Sequence, residues 1–246
     1  MQTPFQTTFR EARDTLVPDP AGPHGPLPPL LLGLTVVTGL VDAFSYLSLG
    51  HVFVANMTGN VVFMAFSLAG ASGFSVLASV LSLLSFTAGA AAGGVLAQRV
   101  TAHRARLLLG ATVAQVVLVL AGWVMSRLVD LPAGGGDRWT LILLLGLAMG
   151  LQNAVVRRLA VPDLTTTVLT LTITGIAADA RFAGGASSRS GRRLLSALAM
   201  FLGALAGAAL IGHGHADLPL LLGAVALAAV AAGLLPHRRS AAAWTG

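Results

Sequence analysis

From Pro29 onward the chain is a succession of eight apolar segments, at about 29 to 49, 52 to 70, 74 to 97, 107 to 126, 139 to 157, 164 to 178, 194 to 212 and 218 to 235. A helix needs about 20 apolar residues to cross the hydrocarbon of a bilayer, and six of the eight segments are long enough. Only 10% of the residues are charged. A soluble domain carries about 25%, which it needs to cover a water-facing surface. The expected fold class is all-α: a polytopic helical membrane protein with about six full spans. The 29 glycines suit helices that pack backbone to backbone in lipid, where small residues allow the close approach that makes contact favourable.

The second and sixth segments differ from the rest. The second is interrupted by Asn56, Thr58, Gly59 and Asn60, and the sixth, LTTTVLTLTITGIAA, is short and rich in threonine. Both are expected to be broken or re-entrant. They also fall at matching places: Gly39-Leu40-Val41-Asp42-Ala43 aligns with Gly150-Leu151-Gln152-Asn153-Ala154 at an offset of 111, and Gly89-xxx-Gly93 with Gly203-xxx-Gly207 at 114. An internal repeat follows, with halves at about 29–127 and 139–236 inside one transmembrane domain, 29–236. Residues 1–28, polar and proline-rich, are expected to be a disordered tail, and 237–246 a short basic cytoplasmic tail.

Charge sets the expected orientation. All of the basic residues are arginine, 15 in number. If both broken segments return to the side they entered from, thirteen arginines share a face with both termini, and only Arg127 and Arg138 lie opposite. A seven-span rival places eleven inside, which satisfies the positive-inside rule less well. Six spans with cytoplasmic termini is the expectation, and three crossings per half make the repeat an inverted one. Arginines that flank apolar spans, rather than lining one face, point away from nucleic acid.

Polar groups in lipid are costly unless something satisfies them, so those inside the spans are the candidate pathway. In the first half these are Asp42, Asn56, Thr58, Gly59 and Asn60; in the second, Gln152, Asn153, Thr167 and Thr170. Asp42 reads either as a structural hydrogen-bond acceptor or as a proton or cation coupling site. Asp163 with Arg157 and Arg158 reads as an interfacial ion pair. With no cysteine, and with His213 and His215 too few for a metal set, no cofactor or metal is expected. Ser45 shares a helix face with Asp42 but lacks a partner base, and HExxH and GxSxG are absent, so the chain does not read as an enzyme. The leading reading is a small-solute or ion transporter or channel in the lipid bilayer. The alternative is a non-transporting membrane partner, whose glycine faces would serve homo-oligomerisation as readily as internal packing.

The stretch GLVDAFSYLSLGHVFVANMTGN resembles the signature of the YoaK-like family of bacterial membrane proteins, and Gly150 to Ala154, Arg157-Arg158 and Val161 to Thr167 resemble its second block. The resemblance runs from about Leu34 to Pro236. It implies an inner-membrane protein of a family classed by a domain of unknown function, and it supplies no mechanism.

Overall fold

The computed structural model describes residues 4–100, 103–132, 135–164, 166, 174 and 190–246. Six helices are long and apolar enough to span a membrane: α2 (Leu27–Ser48), α4 (Val76–Arg99), α5 (Arg104–Leu128), α6 (Gly135–Leu159), α7 (Ser190–Gly212) and α8 (Leu218–Leu234), the last continuing as a 3-10 turn to Arg239. Two shorter helices, α1 (Pro4–Leu16) and α3 (Met57–Leu68), complete the described set. The expected all-α polytopic architecture is what the chain adopts.

Local chemistry explains the helix ends. Pro28 and Pro29 open α2 where a missing amide costs nothing. Ser75 caps α4 by accepting from the Ala78 amide at 3.2 Å, and the His103 ring caps α5 by accepting from the Arg106 amide at 3.3 Å. After Ser48 the chain turns through Gly50 at φ +77° and His51 at φ 58°. Glycine suits position 50 because of that left-handed φ, and the Arg138 guanidinium lies over it, its Nη2 donating to the Gly50 carbonyl at 3.2 Å.

Hydrogen bonds between helix ends fix which ends lie together. Arg104, opening α5, donates to the carbonyls of Pro23, just before α2, of Leu159, at the end of α6, and of Trp244 near the carboxyl terminus. Arg106 donates to the Arg238 carbonyl after α8. The amino end of α2, the carboxyl end of α4, the start of α5 and the ends of α6 and α8 therefore share one side, and the carboxyl-terminal residues lie there. At the other side the His51 ring meets the Gly73 carbonyl at 2.9 Å, so the segment from Leu49 to Ser75 returns to the side it left. Helix α3 has 12 residues, about 18 Å of rise against roughly 30 Å of hydrocarbon, which is too short to cross. The seven-span alternative requires it to cross. On the arginine-rich side, Arg192 Nη1 to the Pro162 carbonyl at 3.3 Å and Arg193 Nε to Asp163 Oδ1 at 2.9 Å likewise join the chain leaving α6 to the start of α7.

The tightest helix pairs are α4 with α6 and α2 with α7, and α5 packs between α6 and α8. Each of the two tight pairs is built on glycine against backbone. A Cβ at Gly89 would strike the Leu147 carbonyl oxygen, and one at Gly203 the Val36 carbonyl oxygen. Gly150 sits against the Phe86 carbonyl oxygen and Gly39 against that of Met200. A Cβ at Gly93 would lie 2.8 Å from the Ala154 methyl, and one at Gly207 2.9 Å from the Ala43 methyl. These three pairs of contacts carry the same offsets, 111 and 114, as the sequence repeat.

The termini depart from expectation. Within the stretch 1–28, expected to be disordered, α1 forms a helix docked on the start of α7: Gly191 lies against the backbone of Thr8 and Ala12, and its amide donates to Glu11 Oε2 at 3.1 Å. Docking supplies what propensity alone could not, since a 13-residue helix is marginal in water. The carboxyl-terminal residues fold back in the same way. Trp244 is buried against Gly25 and the His237 ring, and His103 Nε2 meets the Ser240 carbonyl at 3.0 Å.

Candidate functional site

Asp42 lies in the last two turns of α2 and is buried. Three neutral donors converge on its carboxylate: the Val54 amide at 3.0 Å and the Ala55 amide at 2.9 Å on Oδ1, and Asn56 Nδ2 at 2.5 Å on Oδ2. All three come from the irregular stretch before α3. That stretch is non-helical backbone buried in the protein, where an unpaired amide costs several kcal/mol by desolvation. Asp42 supplies the acceptor that secondary structure does not.

Asn60 performs the complementary task one turn into α3. Its Oδ1 accepts from the Phe53 amide at 2.9 Å while its Nδ2 donates to the Phe53 carbonyl at 2.7 Å, so one side-chain amide replaces both bonds a neighbouring strand would make. Ser82 of α4 closes the group, donating to the same carbonyl at 2.6 Å and accepting from Asn60 Nδ2 at 3.1 Å. Phe53, Val54 and Ala55 are thus held by side chains from α2, α3 and α4. Gly59 lets the Phe53 ring lie on α3, since a Cβ there would come within 2.7 Å of it. Aromatic contacts among Tyr46, Phe53, Phe63, Phe66 and Phe74 cover the outer side of the segment.

Asp42, Asn56, Gly59 and Asn60 are therefore brought together. Thr58 is not; it is exposed. Asn56 precedes α3 and reaches Asp42 from the irregular stretch, whereas Thr58 and Asn60 lie in the first turns of α3, two residues apart and so on different faces of the helix. In the second half, Gln152 lies apart from this group in a buried chain of its own, accepting from Gln115 Nε2 at 2.9 Å and donating to Thr38 Oγ1 at 2.9 Å. Three helices, α5, α6 and α2, are linked through it. Asn153 is half-buried and donates to the Met149 carbonyl in its own helix at 2.9 Å. Thr167 and Thr170 lie outside the described residues. Asp163 pairs with Arg193 rather than with Arg157 or Arg158, because a turn at φ 64° aims it toward the start of α7.

Ser82, Gln115 and Thr38 were not singled out by sequence reasoning. Gln115, an amide alone inside an apolar span, carried the signal that could have found it. The Gln115 and Gln152 amides predict a measurable coupling. Gln152→Leu should destabilise the chain by about 1–3 kcal/mol, because Gln115 Nε2 is left buried without an acceptor. The Gln115→Leu, Gln152→Leu double variant should cost less than the two single changes added, by about 1 kcal/mol, in a double-mutant cycle of unfolding in detergent. Strict additivity would show that the two amides do not interact.

Chemically, the Asp42 group binds backbone. Ser45 Oγ donates to the Asp42 main-chain carbonyl at 3.2 Å, not to its carboxylate, so the pair is not set up as a nucleophile and base. Among the described residues no three metal-capable side chains gather, and His213 Nδ1 lies 2.7 Å from the Ala209 carbonyl of its own helix.

The comparison with known proteins adds a family and no activity. The transmembrane protein YoaK of Bacillus subtilis (strain 168), also titled UPF0700, is 30% identical over 152 residues, which cover 61% of this chain and 65% of that protein. No solved structure matches. Residues 30–233 match the family described as protein of unknown function, DUF1275, a match that takes in α4 to α7 whole and nearly all of α2 and α8. This chain is a polytopic integral membrane protein and belongs to the DUF1275 family.

Proposed function

We propose that the chain is a small-solute transporter whose two halves form an inverted repeat and move against one another across the glycine crossings. The observation that carries this reading is the reciprocity of those crossings: Gly89 on Leu147 with Gly203 on Val36, and Gly93 on Ala154 with Gly207 on Ala43. Because α2 leaves the arginine-rich side and α6 arrives at it, matched contacts imply halves of opposite orientation, the plan from which many alternating-access carriers are built. The Thr38, Gln152 and Gln115 chain is the polar group that sits among the helices of both halves. Asp42 takes no proton-coupling part in this mechanism; it holds the re-entrant segment together.

A second reading, a non-transporting membrane partner, draws support from the same carboxylate, since three donors occupy it and leave little for a solute. The two are separated by flux. Solutes that raise the melting temperature of the detergent-purified chain identify ligands, and the chain in liposomes should move one of them faster than empty liposomes do. Gln152→Leu should reduce that rate at least about tenfold in protein that still folds. A broad solute panel that neither stabilises the chain nor crosses its liposomes would contradict transport. The arginine-rich side is assigned to the cytoplasm, so reporters fused to either terminus of the cell-expressed chain should both report cytoplasmic.

A further inference from the structure

We propose that the cleft between the carboxyl-terminal ends of α4 and α6 binds a phosphate-bearing anion through Arg157, Arg158 and Gln98. The cleft is an open one of about 630 Å³. Its floor is made of the small residues Gly94, Ala97 and Ala154, and its polar wall of Gln98, Arg157 and Arg158. It opens where it does for a packing reason. A Cβ at Gly93 would lie 2.8 Å from the Ala154 methyl, so its absence lets α4 close on α6, while one residue on, a Cβ at Gly94 would meet nothing within 4 Å. Gly94 is turned away from the helix contact and exposed, so it lines the cleft rather than the seam. A second cavity of about 230 Å³ adjoins it, sharing Ala97 and Arg158 and lined also by Arg104.

The arginines here differ in how their charge is used. Arg104 is committed to three carbonyls, Arg106 to one, and Arg193 to Asp163. Arg157 and Arg158 make no hydrogen bond or ion pair among the described residues, although they adjoin one another and both face the cleft. Orientation in the membrane and the negative end of α6 account for basic residues at this level. They do not account for an open, small-residue floor beneath two uncompensated guanidinium groups and a side-chain amide. A tetrahedral phosphate fits that donor set, since each guanidinium fork can take two oxygens and the amide a third. The volume is of the size that holds small organic ligands, so it admits an organic group beyond the phosphate. That group is either a glycerol carrying acyl chains, as in an anionic phospholipid headgroup at the cytoplasmic leaflet, or a water-soluble phosphate ester. The proposal does not depend on solute movement, and its test reads binding alone.

The probes are glycerol 3-phosphate and dihexanoyl phosphatidylglycerol, with dihexanoyl phosphatidylcholine as the zwitterionic control, titrated into the purified full chain in detergent. At least one anionic probe should bind more tightly than the control. The Arg157→Gln, Arg158→Gln double variant should weaken that binding by about tenfold or more. Gly94→Leu, which fills the floor and leaves every charge in place, should do the same. If the double variant does not fold, Arg158→Lys keeps the charge, gives up the planar fork, and should still lose affinity by several-fold. Binding of glycerol 3-phosphate alone assigns the site to a soluble ester, and binding of phosphatidylglycerol alone to lipid. The proposal is overturned if neither anionic probe binds more tightly than the control, or if the bound probe is held equally well by the arginine variants and by Gly94→Leu.

Discussion

Asp42→Ala should lower the stability of the folded chain by about 2–6 kcal/mol, from about 1–3 for each of the two buried amides it orphans. Among the described residues the Val54 and Ala55 amides have no other acceptor, and Asn56 Nδ2 loses its partner as well. Folded proteins are stable by only about 5–15 kcal/mol, so this one side chain carries a large share. Asp42→Asn keeps a neutral oxygen for the two amides and gives up the ionic strengthening, and should recover roughly half of the loss. That ranking, alanine worse than asparagine, belongs to a brace. A titrating residue would show the reverse emphasis: both substitutions would abolish its pH dependence alike while leaving the melting temperature near that of the wild type. Unfolding in detergent, followed by heat or denaturant, reads the difference.

The second large effect is expected at the glycine crossings. Gly89→Val would drive a branched side chain into the Leu147 carbonyl, and Gly203→Val would do the same at Val36. The obstacle at each place is helix backbone, which cannot rotate aside, so α4 must separate from α6 or α7 from α2. Overpacking of this kind costs about 1–3 kcal/mol where neighbours can adjust, and the expected loss here is at or above the top of that range. The two variants should fall within about 1 kcal/mol of each other, because the matched contacts give them the same environment. Gly94→Ala is the control: with open space beyond its Cβ, it should stabilise the helix slightly by propensity. A severe loss at Gly89 with none at Gly203 would contradict the equivalence of the halves.

Much of the architecture was legible in the sequence because lipid leaves so few solutions. Runs of about 20 apolar residues become spanning helices, and the run broken by Asn56, Gly59 and Asn60 becomes a short helix after an irregular stretch. Offsets of 111 and 114 in the sequence reappear as paired glycine contacts. What Asp42 binds was not legible. Its partners are 12 to 14 residues downstream and two of them are main-chain amides, and a sequence displays side chains but not which backbone groups the fold leaves unpaired. Thr58 misled for a related reason. Asn56, Thr58 and Asn60 alternate as in an extended chain, yet a helix begins at Met57, and helical spacing puts Asn60 on a different face from Thr58. The helix α1 was hidden because its stability comes from docking on Gly191, 180 positions after Glu11. The Gln115 and Gln152 bond spans 37 positions and depends on the packing of α5 on α6, which no local pattern announces.

The same geometry limits what can be asked of the signature stretch. A carboxylate saturated by neutral donors in a buried break is a device for tolerating irregular backbone in a membrane. The proposed movement of solute is expected through the Thr38, Gln152 and Gln115 region, where α2, α5 and α6 meet.

Hydrogen–deuterium exchange across residues 52–56 in wild type and in Asp42→Ala tests this most directly. In the wild type the Val54 and Ala55 amides should exchange as slowly as those inside α2, although they belong to no helix, and Asp42→Ala should release them while the interior of α6 stays protected. Rapid exchange of both amides in the wild type, or protection that survives the loss of the carboxylate, would contradict the assignment of Asp42 as the acceptor that holds the break.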